Sequence, residues 1–373
     1  MTPPAPLQSS PRFATLASLL AAIALGCTAD PGGHTGDSAA QGDACSGEGG
    51  FTDPATGFPN LRCTQAANDG EYFWFAREAI ELAQERIHLI EYLWYDSGSA
   101  ELLLEELVDA AGRGVEVKVL ADESVEETAD SLARLRDSSG GAIQAKSDSR
   151  STVSHNKLII ADDLTLVGSH NMSSSALSSN HESSLYLTEA DVTDYYEGYF
   201  QSMWVDSDTD PSLQKPARDD LVPIKNREIA GQLQSCLDGA QARVRLVMYA
   251  LVTYDDASSP VYTLTQRLLA AHDRGVDVMV VLDQSDWIAS NDINTGAIAQ
   301  LQARGVPLHL ADRDITTHAK MLMCDDTVIV GDANWSFSSM EEYNGTSVQV
   351  TRARVADQYL AWFDEIWDEG EEP

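Results

Sequence analysis

A chain of 373 residues, 43% apolar and 22% charged, has the length for two domains and a composition ordinary for a folded protein. Its 59 acidic residues against 24 basic ones leave a net charge of −35, which argues against a protein that grips nucleic acid through a broad basic face. Any cationic site must be local, set inside a repelling field.

The N-terminus reads as an export signal. Arg12 precedes thirteen uncharged residues, 13–25, a run too short to span a bilayer and suited to the apolar part of a signal peptide. The stretch ALGC at 24–27 resembles a bacterial lipobox, so residues 1–27 are expected to be a signal with lipidation at Cys27, plain secretion being the alternative. A small, polar, glycine-bearing tether follows at 28–44. In an exported protein Cys45 and Cys63 then read as a disulfide at the start of the fold. Cys236 and Cys324 fall inside periodic segments and read as buried single thiols. No later segment is long and apolar enough to cross a membrane.

The rest of the chain is one unit written twice. RIHLIEYLWYD at 86–96 matches RVRLVMYALVTYD at 243–255, and GRGVEVKVLADES at 112–124 matches DRGVDVMVVLDQS at 273–285. HNKLIIADDLTLVGSHN at 155–171 matches HAKMLMCDDTVIVGDAN at 318–334. Each copy sets amphipathic helical patterns, such as 73–86 and 100–113, before apolar strands, with Gly114 as a helix stop. That alternation predicts α/β layers with a largely parallel sheet in each copy. The boundaries expected are 45–208 and 209–373, joined through the Asp- and Pro-rich stretch 206–220.

The third match carries the chemistry. Residues i and i+2 of a strand share a side, so His155 projects with Lys157, and His318 with Lys320. Asp162 and Asp163 turn the chain, and a hairpin would return Ser169 and Asn171 beside the start of the first strand. Seven of the seventeen positions agree between copies, and six of those seven are polar or glycine. Core packing alone would not hold such residues while the apolar ones drift. Two lysines and the asparagines Asn171 and Asn334 supply positive charge and amide donors, and paired histidines can attack and protonate near neutral pH.

His-x-Lys-x4-Asp, present in duplicate and followed by Gly-Ser-x-Asn in the first copy and Gly-Asp-x-Asn in the second, resembles the phospholipase D superfamily, over roughly 65–370. The resemblance implies two α/β sheet units related by a pseudo-twofold axis, with one shared active site. It also implies phosphodiester cleavage through a phosphohistidine, without metal or other cofactor. A family acidic residue near the spacing of Glu182 orients the motif histidine, which assigns Glu182 to His155; the matching stretch YNGTS at 343–347 offers Thr346. His155 is therefore expected as nucleophile and His318 as general acid/base. Asp162, Asp325 and Ser169 are expected behind them. Asp332 stands where the family has serine, and beside an anionic substrate it is expected to turn away or pair with Lys320. Trp335, next to Asn334, is the candidate for substrate contact, whereas Trp94 reads as core. His170 and His181 could form a metal cluster with His155 and Asp162, but the second copy is read as having Ala333 and Gly345 at the matching places and the lysines oppose a cation, so no metal is expected.

A monomeric, exported phospholipid-cleaving enzyme at a membrane surface is the function expected. Nucleic acid is an unfavoured substrate because only Arg150 and Arg313 immediately flank the motifs. A secreted endonuclease, a cardiolipin-synthase-like phosphatidyltransferase and an inactive scaffold are the alternatives.

Overall fold

The computed structural model describes residues 61–95, 97–148 and 151–373, all within the unit Ala44–Pro373. The signal, Cys27, the tether and Cys45 lie outside the described residues. The first half runs β1 (Gln65–Ala66), α1 (Glu71–Leu82), β2 (Arg86–Glu91), α2 (Ser99–Arg113) and β3 (Glu116–Ala121). It continues with α3 (Glu126–Ser138), β4 (Gln144–Ser147), β5 (Lys157–Ala161), β6 (Leu164–Gly168), α4 (Ser174–Ser178), β7 (Ser184–Leu187) and α5 (Ala190–Val205). Residues 206–220 carry no helix or strand. The second half opens with β8 (Leu221–Lys225), α6 (Glu228–Gly239), β9 (Arg243–Met248), α7 (Pro260–Asp273), β10 (Asp277–Leu282) and α8 (Asp286–Ser290). It closes with α9 (Thr295–Ala303), β11 (Leu308–Leu310), β12 (Lys320–Cys324), β13 (Thr327–Gly331), α10 (Phe337–Glu341), β14 (Thr346–Thr351) and α11 (Ala353–Glu369).

Each half builds a seven-stranded sheet, ordered β1-β7-β6-β5-β2-β3-β4 and β11-β10-β9-β12-β13-β14-β8. The expectation of largely parallel sheets fails. Only β2, β3 and β4, and likewise β9, β10 and β11, run parallel; the motif strands pair antiparallel to β2 and β9 and to their neighbours. The reason is the two-residue Asp162-Asp163 turn, too short for the crossover a parallel connection needs.

The sheets are covered as their patterning dictates. α1 buries Tyr72, Phe75, Ala76, Ala79 and Ile80 on one face, and α2 buries Leu103, Leu104, Leu107 and Ala110. α2 stops at Gly114, whose left-handed φ of 94° lets its amide reach back to the last helical carbonyls. These helices make an outer core with one face of the first sheet, and α6 and α7 do the same for the second. The opposite faces of both sheets share a third core with α5 and α11. Within it the Tyr196 hydroxyl donates to the Ser347 carbonyl at 2.6 Å, and the Tyr359 hydroxyl to the Ser184 carbonyl at 2.6 Å. The two bonds are related by the same 163-residue offset as His155 and His318, so the halves are locked to each other symmetrically.

Three sequence features acquire a structural reason. Asp162 (φ 51°) accepts from the Gln84, Glu85 and Arg86 amides at 2.7–3.0 Å, and Asp325 (φ 54°) from those of Gln241, Ala242 and Arg243 at 2.8–3.0 Å. Each carboxylate ties the motif turn to the start of the neighbouring central strand, at the end of β5 or β12 opposite the histidine. These two aspartates are structural. Gly331 is required because a Cβ there would lie 2.6 Å from the Cα of Ser347, and Gly168 meets Ser184 in the same way. Cys236 and Cys324, expected as single thiols, form a disulfide joining α6 to the end of β12, with Cα atoms 5.7 Å apart. Their sequence separation of 88 hides a pairing that the helix–sheet contact creates. Cys63 is buried and disulfide-bonded, its expected partner Cys45 lying outside the described residues. Among the described residues no helix is long and apolar enough to cross a membrane.

Asp325→Ala should cost about 1–3 kcal/mol, because three amides lose one acceptor. The three amide bonds, opposed by partial burial, hold the Asp325 carboxyl below its ordinary 3.8. Its contribution is therefore complete above that value and lost as pH falls through the lowered one. Denaturant melts at pH 7 and pH 3 should show the variant's deficit shrinking in acid; an equal deficit at both pH values would contradict this role.

Candidate functional site

His155 and His318 sit immediately before β5 and β12, and the chain locks each to the opposite half. Residue 154 bridges to Asn344, and Thr317 bridges to His181. The His155 amide donates to the Asn344 carbonyl at 2.8 Å and the Asn344 amide to Val153 at 2.9 Å. In the mirror position the His181 amide donates to Thr316 at 3.0 Å. Two buried aspartates fix the approach: Asp122 accepts from the Ser154 amide and Asp283 from the Thr317 amide, both at 2.6 Å. Sequence reasoning overlooked both, although each lies in the matched stretches ADES and LDQS, where it also binds Ser124 or Ser285. The side chains of both histidines remain about one-tenth exposed, 10% and 12%, so each ring is sheltered yet open to substrate.

The carboxylates are exchanged between halves, which corrects the assignment of Glu182. Its two oxygens stand 3.0 Å from Nδ1 of His318, not of His155. The 180–182 loop crosses to the second half through the His181 bridge, and a spacing counted along one strand cannot reveal that. Glu182 is fully buried and also accepts from Ser169 Oγ at 2.5 Å and Asn180 Nδ2 at 3.3 Å. Asp332, from the second half, places Oδ2 3.5 Å from Nδ1 of His155, an ion-pair contact too long and poorly aligned for a hydrogen bond. Asp332 thus faces a histidine, where the sequence suggested Lys320 or solvent. The strand registers also correct the alignment: Ser184 pairs with Gly168 and Ser347 with Gly331, so Gly345, and not Thr346, corresponds to Glu182.

Lys157 Nζ donates to the His155 carbonyl at 2.8 Å, and Lys320 Nζ to that of His318. Each ammonium lies over a tyrosine, Lys157 4.9 Å from the Tyr92 ring and Lys320 5.0 Å from that of Tyr249. Those rings also contact His155 and His318, at centroid distances of 4.6 and 4.7 Å. The tyrosines were visible in the repeats EYLWYD and MYALVTYD but passed as strand residues. Asn171 and Asn334 are half-buried on the loops after β6 and β13, each with Oδ1 lacking a protein partner. Trp335 is fully buried in the outer core of the second half, bridging to Leu251, and cannot contact substrate. The exposed tryptophan beside the site is Trp287, 57% exposed and stacked on Tyr249. His170 is buried between Ser184 Oγ and the Asp69 carbonyl, and His181 faces Asp69 and Glu369; with Asp162 at the far end of β5, these groups do not converge on His155.

Burial, then Lys157 and Lys320, hold the His155 imidazole well below its ordinary range; burial, then Lys320 and Lys157, do the same to His318. His155 also feels His318. Burial lowers the Lys157 ammonium to about 8 and holds that of Lys320 well below its ordinary range. It raises Glu182, opposed by the His170 and Lys320 charges and the Ser169 hydrogen bond, and pushes Asp332 up to about 7. The common cause is burial, which penalises every uncompensated charge. An entering anion reverses the sign for the cations, favouring charged lysines and a protonated histidine. The site is therefore poised to charge itself around a phosphate.

Replacing Lys157 with Met removes a positive charge that both rings feel, so both imidazole titrations should move up, as followed by NMR of labelled histidines. An unmoved His318 titration would separate the two motifs.

With this geometry in hand, similarity to known proteins can be stated. The family model described as "Cardiolipin synthase, PLD-like domain" matches residues 76–204 and 233–367. Over 123 residues the chain is 31% identical to the "Phospholipase D" of Rickettsia bellii strain RML369-C, a match covering 33% of this chain and 58% of that protein. The fold superimposes on phosphatidylserine synthase from Haemophilus influenzae Rd KW20 with a TM-score of 0.68 at 13% identity, covering 84% of this chain and 88% of that one. Polyphosphate kinase from Porphyromonas gingivalis gives 0.57 at 15% identity, over 81% of this chain and 50% of that one.

Proposed function

The chain belongs to the phospholipase D superfamily, its PLD-like model matching both halves, and from that premise we propose an exported phosphodiesterase that cleaves phospholipids through a phosphohistidine. The observation that carries the proposal is the exchange of carboxylates. Each motif histidine has its Nδ1 facing an acid from the other half, with a lysine beside it, and His155 feels the charges of His318 and both lysines, which supports one shared site.

His155, neutral, attacks phosphorus with Nε2 while His318, protonated, donates to the departing head-group oxygen. The P–O bond breaks as the P–N bond forms. His318, now neutral, takes a proton from water, whose oxygen attacks phosphorus and expels His155. An alcohol in place of water gives transfer. Lys157, Lys320, Asn171 and Asn334 neutralise and orient the non-bridging oxygens.

The assignment of roles rests on the carboxylates. Glu182, with both oxygens 3.0 Å from His318, favours an imidazolium there more than Asp332 does at His155, from which it stands 3.5 Å. The acid is therefore His318 and the nucleophile His155. The lipid substrate is favoured by the acidity of the chain and by the relative named phospholipase D; the apolar run 13–25 with Cys27 supports export on a lipid anchor, and the duplication supports action as a monomer.

Mature protein incubated in EDTA with phosphatidylcholine, phosphatidylethanolamine or cardiolipin vesicles should release phosphatidic acid or its cardiolipin counterpart. Cleavage of single- or double-stranded DNA instead would overturn the lipid assignment, and no product at all the enzymatic one. His155→Ala should abolish turnover, while His318→Asn should retain a phosphatidyl adduct on residue 155, read by peptide mass. An adduct on His318 in His155→Asn protein would reverse the roles.

A further inference from the structure

The pseudo-twofold axis maps Ser169 onto Asp332 and Glu182 onto Gly345, each by the same 163-residue offset. The backbone obeys the mapping: the Ser169 amide donates to the Ser183 carbonyl at 3.0 Å, and the Asp332 amide to that of Thr346 at 3.2 Å. The side chains do not. In the first half a small hydroxyl on the strand-end residue supports a carboxylate on the neighbouring loop, Ser169 Oγ to Glu182 at 2.5 Å. In the second half the carboxylate stands on the strand-end residue and the loop position has no side chain.

The glycine is a spatial requirement. A Cβ built on Gly345 would fall 2.6 Å from Asp332 Oδ1 and 2.7 Å from its Cγ, and closer still to Oδ2. All three are well inside van der Waals contact, so the Asp332 carboxylate occupies the space that a side chain at 345 would need. Gly345 has no left-handed φ, so backbone conformation does not account for it. From that space Oδ2 faces His155 Nδ1 at 3.5 Å.

We infer that Asp332 is the positioning residue for His155, doing from the strand end what Glu182 does for His318 from the loop, and that Gly345 is the coupled change that admits it. Asp332 touches no reacting atom. It acts through its charge and not through a hydrogen bond: Oδ2 3.5 Å from Nδ1 favours the proton on that nitrogen, so that Nε2 presents its lone pair. The expectation that Asp332 turns away or pairs with Lys320 is thereby replaced: its carboxylate stands on the Nδ1 side of the His155 ring. The second half has moved its carboxylate, and a chain that changed only one of the two positions would either lose the carboxylate or crowd it out.

The inference uses the phosphodiesterase reading for one readout and is independent of it for the other. Asp332→Asn, Gly345→Ala, Asp332→Ser, Asp332→Ser/Gly345→Ala and Asp332→Ser/Gly345→Glu would be compared in two ways. Labelled-histidine NMR reports the tautomer and titration of each ring in the resting protein, and steady-state kinetics separate kcat from KM. Asp332→Asn keeps the side-chain shape; it should lower the His155 titration, lose the fixed Nδ1–H tautomer there and leave His318 unmoved. Its kcat should fall on the order of 10²-fold with KM little changed. Gly345→Ala should displace Asp332 and mimic that loss, yet add nothing when Asp332 is already serine. Asp332→Ser/Gly345→Glu reproduces the first-half arrangement and should recover at least about tenfold of the activity lost in Asp332→Ser. An unchanged His155 tautomer in Asp332→Asn, or an additive Gly345→Ala, would overturn the inference. If no substrate is turned over, the NMR result decides alone, and failure of the functional reading stays distinct from failure of this one.

Discussion

The interaction on which the rest depends is the contact between each histidine and a buried acid from the opposite half. A buried imidazole beside two lysines loses its proton readily, and a carboxylate near Nδ1 opposes that loss and favours the proton on that nitrogen. Because that carboxylate comes from the other half, neither half contains a complete site. The shared core, the reciprocal Tyr196 and Tyr359 hydrogen bonds and the two bridges beside the histidines serve one end: holding the halves in the register that makes the contacts.

The duplication is conserved in pairs more than at single positions. Glu182 with Ser169 becomes Gly345 with Asp332. Trp94 bridging to Met172 becomes Leu251 bridging to Trp335, the large ring changing partners while both sites stay filled. One difference has no such counterweight. Glu91, fully buried opposite Lys157, is replaced by Met248 opposite Lys320. The buried acid favours charge on Lys157, and Lys320 has no such partner across its strand pair. The surroundings of the two lysines are thus unequal.

Much of this was legible in the residues, and what was not has a physical reason. The motif hairpin, the pairing of His155 with Lys157, the two-unit architecture and the helix stop at Gly114 follow from local periodicity and turn chemistry. The partner of Glu182 was misread because it lies across the pseudo-twofold axis, where strand spacing carries no information. Trp335 was misread because adjacency to Asn334 says nothing of direction; successive residues of an extended chain point opposite ways, and this ring goes into the core. Tyr92, Tyr249, Asp122 and Asp283 stood in plain view in the repeats, yet as strand-end residues they resembled packing. Cys236 and Cys324 were separated by too much chain for their contact to be foreseen.

The central claim is that two halves make one site. Rapid-quench measurement of the covalent phosphoenzyme tests it most directly, using a substrate whose breakdown step is slow enough to show a burst. The account predicts one phosphorylated histidine per chain at full burst amplitude, and none when either motif histidine is replaced by alanine. Two per chain, or half the amplitude surviving in each single variant, would mean that each half works alone.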